Sequence, residues 1–153
     1  MRIKLITMGL TGTGYLSEGL EDYEKRLKRY TSFERTDVPL PRSGKNDPRE
    51  QEGELLLSKV ESGDVVVLLD ENGKEFNSVE FSDFIQKRMN AGTKRLVFII
   101  GGAYGFSDSV RKRADHELSL SRMTLTHQMV RLFFTEQLYR AFTIIKGEKY
   151  HHQ

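Results

Sequence analysis

The sequence predicts an α/β fold in which helices cover both faces of a mostly parallel β-sheet. Segments with strand-like patterns alternate five times with segments that have helical spacing. Two of the strand-like segments, residues 65–69 and 96–100, are apolar throughout, as strands buried on both faces are. Such alternation is typical of a parallel sheet with helical crossovers. A chain of 153 residues can bury a core without disulfides or metals, so we expect a single domain over residues 1–153.

The N-terminal half is predicted to contain two strands, two helices and a long loop. Arg2–Met8 has the pattern of a strand, and residues 33–38 form a second strand that Pro39 ends. Apolar residues recur at helical spacing between these strands, at Leu16, Leu20, Tyr23, Leu27 and Tyr30. Residues 40–48 have the composition of a loop, and a helix is expected over residues 47–60.

The C-terminal half continues the alternation. Strands are predicted at residues 65–69, 96–100 and 116–120, and a long last helix at residues 128–142. The turn-forming residues 70–73 are expected to close the third strand. Ser78 is expected to cap the next helix, which Gly92 ends, and Ser107 to cap a short helix after the fourth strand.

Three glycines, Gly101, Gly102 and Gly105, follow the fourth predicted strand directly. In open parallel sheets, ligands bind beyond the carboxyl ends of the strands. Glycine lets backbone amides approach a ligand without an intervening Cβ, and it also permits a tight turn. The segment lacks the lysine and Ser/Thr of a phosphate-binding P-loop. Both interpretations, a ligand wall and a tight turn into the helix at Ser107, remain open from these residues.

A further ligand-binding candidate is the segment LSRMTL at residues 120–125, which has neither a helical nor a strand pattern. A loop of this composition offers backbone amides and carbonyls to the edge of an adenine, while Met123 and Leu125 provide an apolar wall. An ordinary connection between two elements has the same appearance.

A second group of glycines lies between the first strand and the first helix. A dinucleotide-binding fold has G-x-G-x-x-G at this place and an acidic residue about 20 residues later. Gly12, Gly14 and Asp37 fit this pattern in part, but Ser17 stands where the third glycine is required. An oxidoreductase with a nucleotide cofactor, NAD or flavin, is therefore one alternative function.

The composition excludes several classes of protein. The chain has no cysteine, which excludes a disulfide framework and a cysteine–zinc site and favours a reducing compartment. It begins without the apolar stretch of a signal peptide and has no apolar segment long enough to cross a bilayer, so we expect a cytoplasmic location.

The net charge of +2 is close to neutral and does not by itself indicate a partner. The only charge pattern that does so consists of two basic clusters. They consist of Lys25, Arg26, Lys28, Arg29 and Arg35, and of Arg111, Lys112 and Arg113. Such clusters can contact phosphate groups, although a solvated helix face has the same pattern.

Five segments together form a more specific pattern. They are LLD at 68–70, FIIGGAYG at 98–105, LSLSRMTLTHQMVR at 118–131, EQLYRAF at 136–142 and KGEKYHH at 146–152. In this order they resemble the ribosomal RNA large-subunit methyltransferase H family of the SPOUT superfamily, over the whole chain. The resemblance implies a C-terminal trefoil knot, a homodimer and S-adenosylmethionine as methyl donor without a metal. It also implies methylation at N3 of a pseudouridine in helix 69 of 23S rRNA, on the assembled ribosome.

The same resemblance implies a cofactor site. It comprises Leu69, Gly101, Leu120, Ser121, Arg122, Met123, Thr124 and Leu125. The glycines would then clear a wall for the bent cofactor. The family often has proline at the position that Thr126 occupies here, directly before His127.

Methyl transfer to an imide nitrogen depends on alignment of the reacting atoms and on removal of the nitrogen's proton. Arg140 is expected to stabilise the developing anion. Histidine suits the role of proton acceptor, which makes His151 and His127 the candidates. Tyr150 is expected to stack on the base or orient it. The resemblance implies that Tyr150 and His151 fold over the cofactor site of the partner subunit, which would make each active site composite.

The last predicted helix is apolar on nearly all sides, so it is expected to be buried in the core or against a second subunit. Its charged residues, Arg131, Glu136 and Arg140, must then be paired or functional. Glu136 and Arg140 are four residues apart and are expected to pair. A non-catalytic ribosome-binding factor is a further alternative function, against which the ending Tyr150-His151 and the segment at 120–125 argue.

Overall fold

The computed structural model describes residues 1–44 and 46–152. Lys45, in the predicted loop, and Gln153, at the end of the predicted domain, lie outside the described residues. Within those ranges, strands and helices alternate as β1 (Arg2–Met8), α1 (Tyr15–Leu27), β2 (Ser32–Val38), α2 (Pro48–Leu57), β3 (Val65–Glu75), α3 (Ser78–Asn90), β4 (Arg95–Ile100), α4 (Asp108–Arg113), β5 (His116–Ser119) and α5 (His127–Ile145).

The five strands form one sheet in the order β2-β1-β4-β3-β5, and every neighbouring pair is parallel. The predicted parallel sheet is therefore confirmed. β4 lies between β1 and β3, so the loops that follow β1, β3 and β4 meet at one edge of the sheet. That edge is where open parallel sheets bind ligands.

Helices cover both faces of the sheet, as predicted. Alternate residues of each strand point to opposite faces, which separates Ile3 and Leu5 from Ile6 and Met8. The first pair packs in a core cluster with Leu27 of α1, Phe81 of α3 and Phe134 of α5. The second pair packs in another cluster with Leu56 of α2 and Val110 of α4.

β3 extends beyond the turn that the sequence predicts at residues 70–73. Its register against β5 shifts between Leu69 and Lys74, and pairing then continues through Glu75. Residues 70–73 therefore form a bulge inside the strand. Asn72 donates its backbone N–H to Asp70 Oδ1 at 2.9 Å, which gives the bulge the local hydrogen bond of a turn. The prediction recognised the turn chemistry but not the pairing with β5 that resumes after it.

The helix ends differ from the predictions at three places, one of which is the end of α5, which extends to Ile145 rather than to residue 142. Asn77, not Ser78, is the N-cap of α3, because Asn77 and Glu80 bond each other's backbone N–H groups in a capping box. α2 is shorter than predicted and is capped by Asp47. Ser107 caps α4, as predicted. None of the described helices combines the length and apolar composition that crossing a membrane requires.

Candidate active site

A cavity of about 570 Å³ lies beyond the carboxyl ends of β3 and β4. Three segments line it: the start of the β3 bulge, the loop after β4, and the connection between β5 and α5. The lining includes Leu69, Gly101, Leu120, Ser121, Met123, Thr124 and Leu125. Arg122 is not among the lining residues, because its side chain is 84% exposed and its Nε lies 3.1 Å from Glu75 Oε1. The fold thus brings together seven of the eight residues assigned to the cofactor.

The glycines after β4 combine the two roles that the sequence left open. A Cβ on Gly101 would lie 3.0 Å from the ring of Phe106, and one on Gly102 would lie 2.3 Å from Glu52 Oε2. These positions therefore require glycine because the chain's own side chains pack against them. Gly105 has φ +75°, which glycine adopts without strain. The loop turns tightly, and its backbone forms one wall of the cavity.

A fixed pair of charges stands at the rim of the cavity. Arg111 donates from Nη2 to Asp70 Oδ2 at 2.9 Å and from Nη1 to Glu117 Oε1 at 3.0 Å. Burial tends to raise the pKa of Asp70, but hydrogen bonds from Asn72 and Arg111 outweigh it and lower that pKa. Asp70 is therefore ionised at neutral pH, and Arg111 is held by carboxylates on two strands.

α5 begins at the same cavity. Thr126 caps it by accepting the Met129 backbone N–H at 3.1 Å on Oγ1. This threonine fixes the helix start with a side-chain bond that proline at the same position does not make. The next residue, His127, lines both this cavity and a second one beside it.

The end of the chain folds back onto the other end of α5. Tyr150 donates its hydroxyl to Glu136 Oε1 at 3.0 Å, and Arg140 Nη2 donates to the same oxygen at 2.5 Å. The Arg140 guanidinium also lies 4.8 Å from the centre of the Tyr150 ring, and its Nη1 is 3.4 Å from His151 Nδ1. Burial, with hydrogen bonds to Tyr23 and Glu136, raises the pKa of Tyr150, which keeps the phenol protonated. The predicted pairing of Glu136 with Arg140 is confirmed.

Within one chain, this cluster of Arg140, Tyr150 and His151 does not reach the cavity. Arg140 and His127 stand near opposite ends of the 19-residue α5. At 1.5 Å per residue they are about 20 Å apart along the helix axis. The structure places His127 beside the cofactor residues and the other three candidates elsewhere.

A family model described as "Predicted SPOUT methyltransferase" matches residues 1–151 of the chain. The chain belongs to this family. It is a methyltransferase whose methyl donor is S-adenosylmethionine.

Individual proteins resemble this SPOUT methyltransferase over its whole length. Proteins named Ribosomal RNA large subunit methyltransferase H from Christiangramia forsetii and Flavobacterium johnsoniae are 56% and 53% identical to it, with 100% of both chains covered in each comparison. The crystal structure of tRNA (m1G37) methyltransferase from Aquifex aeolicus has a TM-score of 0.55 at 15% identity. That likeness covers 100% of this chain and 76% of the other, and it concerns the fold. The SPOUT fold predicted from the resemblance is confirmed, whereas the trefoil knot stays a prediction.

The cavity of this methyltransferase fits S-adenosylmethionine in size and chemistry. Its volume is in the range of small-molecule sites. Leu69, Ile100 and Leu125 give it apolar walls for a planar ring, between two stretches of backbone that offer amides and carbonyls. Asp70 and Arg111 at the rim match a ligand that carries both positive and negative groups. No group of His, Cys, Asp and Glu that could hold a metal occurs among the described residues.

The alternative cofactor site of an oxidoreductase is not supported. The Asp37 carboxylate is already engaged by the guanidinium of Arg35, by Thr7 Oγ1 at 2.8 Å and by Thr11 N–H at 3.0 Å. The carboxylate is therefore used mainly within the chain, with two donors on Oδ2 and one on Oδ1. The Gly12 N–H donates to Gln128 Oε1 at 2.9 Å, so that this amide does not face a phosphate.

Two buried charged residues of the methyltransferase escaped the sequence-based site prediction. Glu52 and Arg131 are 3% and 1% exposed, and both line the second cavity, of about 530 Å³. α2 carries glutamates at 50, 52 and 54, and nothing in that pattern shows which one is buried. The position of Arg131 in an apolar helix indicated that this residue is paired or functional, but it did not show which residues are its partners.

Most arginines of the two basic clusters are paired within the chain. Arg35 lies 2.6 Å from Glu24, Arg26 lies 2.9 Å from Asp22, and Arg113 donates to the carbonyl oxygens of Glu61 and Asp64. Lys25, Lys28, Arg29 and Lys112 remain exposed and form no ion pair within the described residues. These four are the cations that phosphate can reach.

Proposed function

We propose that this SPOUT methyltransferase methylates N3 of a pseudouridine in helix 69 of large-subunit rRNA, on the assembled ribosome in the cytoplasm. The observation that carries the proposal is the cavity lined by Leu69, Gly101 and the segment 120–125, which are the residues that the resemblance assigns to the cofactor. The full-length relatives named as ribosomal RNA large subunit methyltransferases support rRNA as the substrate.

S-adenosylmethionine, when bound, supplies an electrophilic methyl group. The chain's task is then to hold a pseudouridine with N3 facing that group and to manage the N3 proton. His127 stands at the rim of the cavity as a candidate proton acceptor. Arg140 is the candidate for stabilising negative charge on the base, and its contact with Tyr150 and His151 keeps these three side chains together.

A homodimer would explain how the cluster of Arg140, Tyr150 and His151 acts at the cavity beside His127, although the two lie far apart within one chain. The C-terminal cluster of one subunit would complete the cofactor cavity of the other, so that each active site takes residues from two chains. Exposed apolar residues near the cavities and on α5 support this assembly. They are Leu10, Tyr15, Leu40, Tyr104, Met123, Met129 and Phe133. An apolar surface of this kind marks an interaction site.

Calorimetric titration with S-adenosylhomocysteine tests the cofactor site. The wild-type chain is expected to bind, and Gly101→Trp to abolish binding because the indole fills the cavity wall beside Phe106. Gly63→Trp is the matched control, since a Cβ there meets no atom within 4 Å. Binding of NADH instead of S-adenosylhomocysteine would overturn the assignment.

A subunit-mixing experiment tests the composite site. Gly101→Trp lacks the cofactor site, and the double variant Tyr150→Ala/His151→Ala lacks the C-terminal cluster. Each is expected to be inactive on ribosomes alone, whereas an equal mixture recovers about one quarter of wild-type activity if subunits pair at random. No recovery, with heterodimers present by native mass spectrometry, would place each active site within one chain.

The proton acceptor is tested with single histidine variants. His127→Ala or His151→Ala is expected to lower kcat on ribosomes by about 100-fold. Near wild-type kcat in both variants would exclude a histidine base.

A further inference from the structure

The second cavity adjoins the cofactor cavity and shares a wall with it. Gly102, Ala103 and His127 line both, so a ligand in the second cavity would face the methyl donor across these residues. The second cavity, of about 530 Å³, is large enough for a nucleobase. None of the eight residues assigned to the cofactor lines it.

Glu52 is the unusual residue of this cavity. Only 3% of this residue is exposed, and its Oε2 has no hydrogen-bond partner in the described part of the chain. The carboxylate lies directly behind the shared wall, because a Cβ on Gly102 would be 2.3 Å from Oε2. Burial raises the pKa of Glu52. Buried polar groups in native proteins are nearly always paired, so an unpaired one beside a cavity points to a ligand.

Arg131 is the other deeply buried charged residue of the cavity, and its two terminal nitrogens are paired. Nη2 donates to the carbonyl oxygens of Met8 at 3.1 Å and Gly9 at 2.9 Å, and Nη1 donates to Thr11 Oγ1 at 2.7 Å. These bonds hold α5 to the end of β1, whereas Nε has no partner among the described residues. The cavity therefore presents an unused acceptor at Glu52 and an unused donor at Arg131, and it suits a ligand that brings both an N–H donor and a carbonyl oxygen.

Pseudouridine carries such a donor and uridine does not. In pseudouridine the ribose is attached to C5, which leaves N1 with a hydrogen, whereas N1 of uridine is bonded to the ribose. N1 and N3 flank the C2 carbonyl and point away from each other. Their two N–H bonds diverge as bonds on alternate atoms of a six-membered ring do, so a base that presents N3 to the methyl donor beside the shared wall can direct N1–H to one side, toward the Glu52 carboxylate behind Gly102.

We propose that Glu52 accepts the N1–H of the target pseudouridine in the second cavity and thereby selects pseudouridine over uridine. This inference rests on the proposed function, since it concerns the same target base. Uridine in the same position would leave the buried carboxylate unpaired, and a site built to bond a substrate N–H rejects the analogue that lacks it. Glu52 is accordingly a specificity-determining residue.

The experiment compares methylation of two ribosome preparations, with pseudouridine or with uridine at the target position. The readout is the ratio of kcat/KM for the two substrates. Wild type is expected to prefer pseudouridine, and Glu52→Met to lower that preference about 10- to 100-fold, through a lower kcat/KM on pseudouridine ribosomes and a higher kcat/KM on uridine ribosomes. Glu52→Gln keeps one acceptor oxygen and is expected to give an intermediate ratio. Glu54→Gln, exposed on the same helix, is the control.

The outcomes separate this inference from the proposed function. Wild-type protein that binds S-adenosylhomocysteine but methylates neither ribosome would overturn the proposed function. Active wild type without a preference, or an unchanged ratio in the Glu52 variants, would overturn the inference alone. Glu52→Met removes an unpaired buried carboxylate, so it is expected to unfold at a higher urea concentration than wild type. Glu52→Gln decides the question if Glu52→Met fails to fold.

Discussion

Gly73 lies in the bulge of β3, directly against the backbone of β5. A Cβ at this position would be 2.6 Å from Leu118 N and 2.7 Å from the carbonyl carbon of Glu117. Backbone atoms in a paired strand cannot move aside as a flexible side chain can. The close approach matters for the candidate site because β5 leads into the segment 120–125, of which all residues but Arg122 line the first cavity.

Gly73→Ala is therefore expected to lower the free energy of unfolding by about 2 kcal/mol through overpacking. It should also weaken S-adenosylhomocysteine binding. The added Cβ fits only if β5 moves, and β5 then shifts the segment that follows it. Urea denaturation and calorimetry measure the two effects. Gly63→Ala, where a Cβ meets no atom within 4 Å, should leave both unchanged. If Gly73→Ala unfolded and bound S-adenosylhomocysteine as wild type does, the two strands would be able to separate without loss of stability, which would contradict the prediction.

Asp37 is a second residue whose partners decide its properties. Burial would raise the pKa of Asp37, but hydrogen bonds from Arg35, Thr11 and Thr7 outweigh it and lower the pKa to about 2. The folded state therefore binds this proton less tightly than the unfolded chain, whose aspartate has a pKa of 3.8. The resulting stability is fully present above the unfolded pKa and is lost as the pH falls from about 4 to 2.

Asp37→Asn is expected to lower the free energy of unfolding by about 2 kcal/mol at pH 7. The difference from wild type should shrink as the pH falls through the same range, which urea titrations from pH 7 to pH 2.5 would measure. Asp22→Asn removes an exposed ion pair with Arg26 and should cost less than 1 kcal/mol at any pH. A constant difference for Asp37→Asn would contradict the assigned pairing.

At the scale of the elements, α5 holds the loop that follows β1. Gln128 donates from Nε2 to the Leu10 carbonyl at 3.1 Å and accepts the Gly12 N–H at 2.9 Å, while Arg131 bonds the carbonyl oxygens of Met8 and Gly9. Both side chains come from the first turns of the helix. The same turns place His127 at the two cavities, so the loop, the helix start and the cavity walls form one connected unit.

Gln128→Ala is expected to speed amide hydrogen exchange at residues 9–14 at least 10-fold, because both bonds to the loop are lost. Global stability should fall by only about 1 kcal/mol, since the loop is exposed. Exchange followed by mass spectrometry gives the first quantity and urea denaturation the second. Gln86→Ala, exposed on α3, is the control. Unchanged exchange at residues 9–14 would mean that the bonds from Arg131, Arg35 and Asp37 secure the loop without Gln128.

For the whole molecule, the central question is what covers the apolar residues that remain exposed in a single chain. Met129 and Phe133 are 37% and 38% exposed and stand four residues apart on α5, beside the buried Phe134 and Leu138. α5 thus has one face in the core and another at the surface. The homodimer proposed above would cover that second face.

Phe133→Asp is accordingly expected to shift the dimer toward monomers and to lower ribosome methylation more than 10-fold, because composite active sites are lost with the interface. Analytical ultracentrifugation and a methylation assay measure these effects. Met89→Asp on α3 is the matched control, since Met89 is 40% exposed and no residue of α3 lines either cavity. A monomeric but fully active Phe133→Asp protein would contradict the composite site.

Local patterns in the sequence determined the elements and the class of the fold. Hydrophobic patterns located the five strands and the helices α1, α3 and α5, because the spacing of apolar residues reflects which faces are buried. The loop composition at residues 40–48 and the cap at Ser107 located α2 and α4. The resemblance to the methyltransferase family also assigned to the cofactor seven of the residues that line the first cavity. The caps at Ser107 and the ion pair of Glu136 with Arg140 depend on neighbours three or four residues away and were likewise predictable.

Only the tertiary structure decided which distant residues meet. The continuation of β3 past its bulge depends on pairing with β5, and the role of Gly102 depends on a carboxylate fifty residues earlier in the chain. The burial of Glu52, rather than of Glu50 or Glu54, follows from how α2 packs on the sheet. The contact of Arg140 with Tyr150 and His151 follows from the way the end of the chain folds back onto α5. Such contacts arise from packing between elements, and the spacing of residues in the sequence does not reveal them.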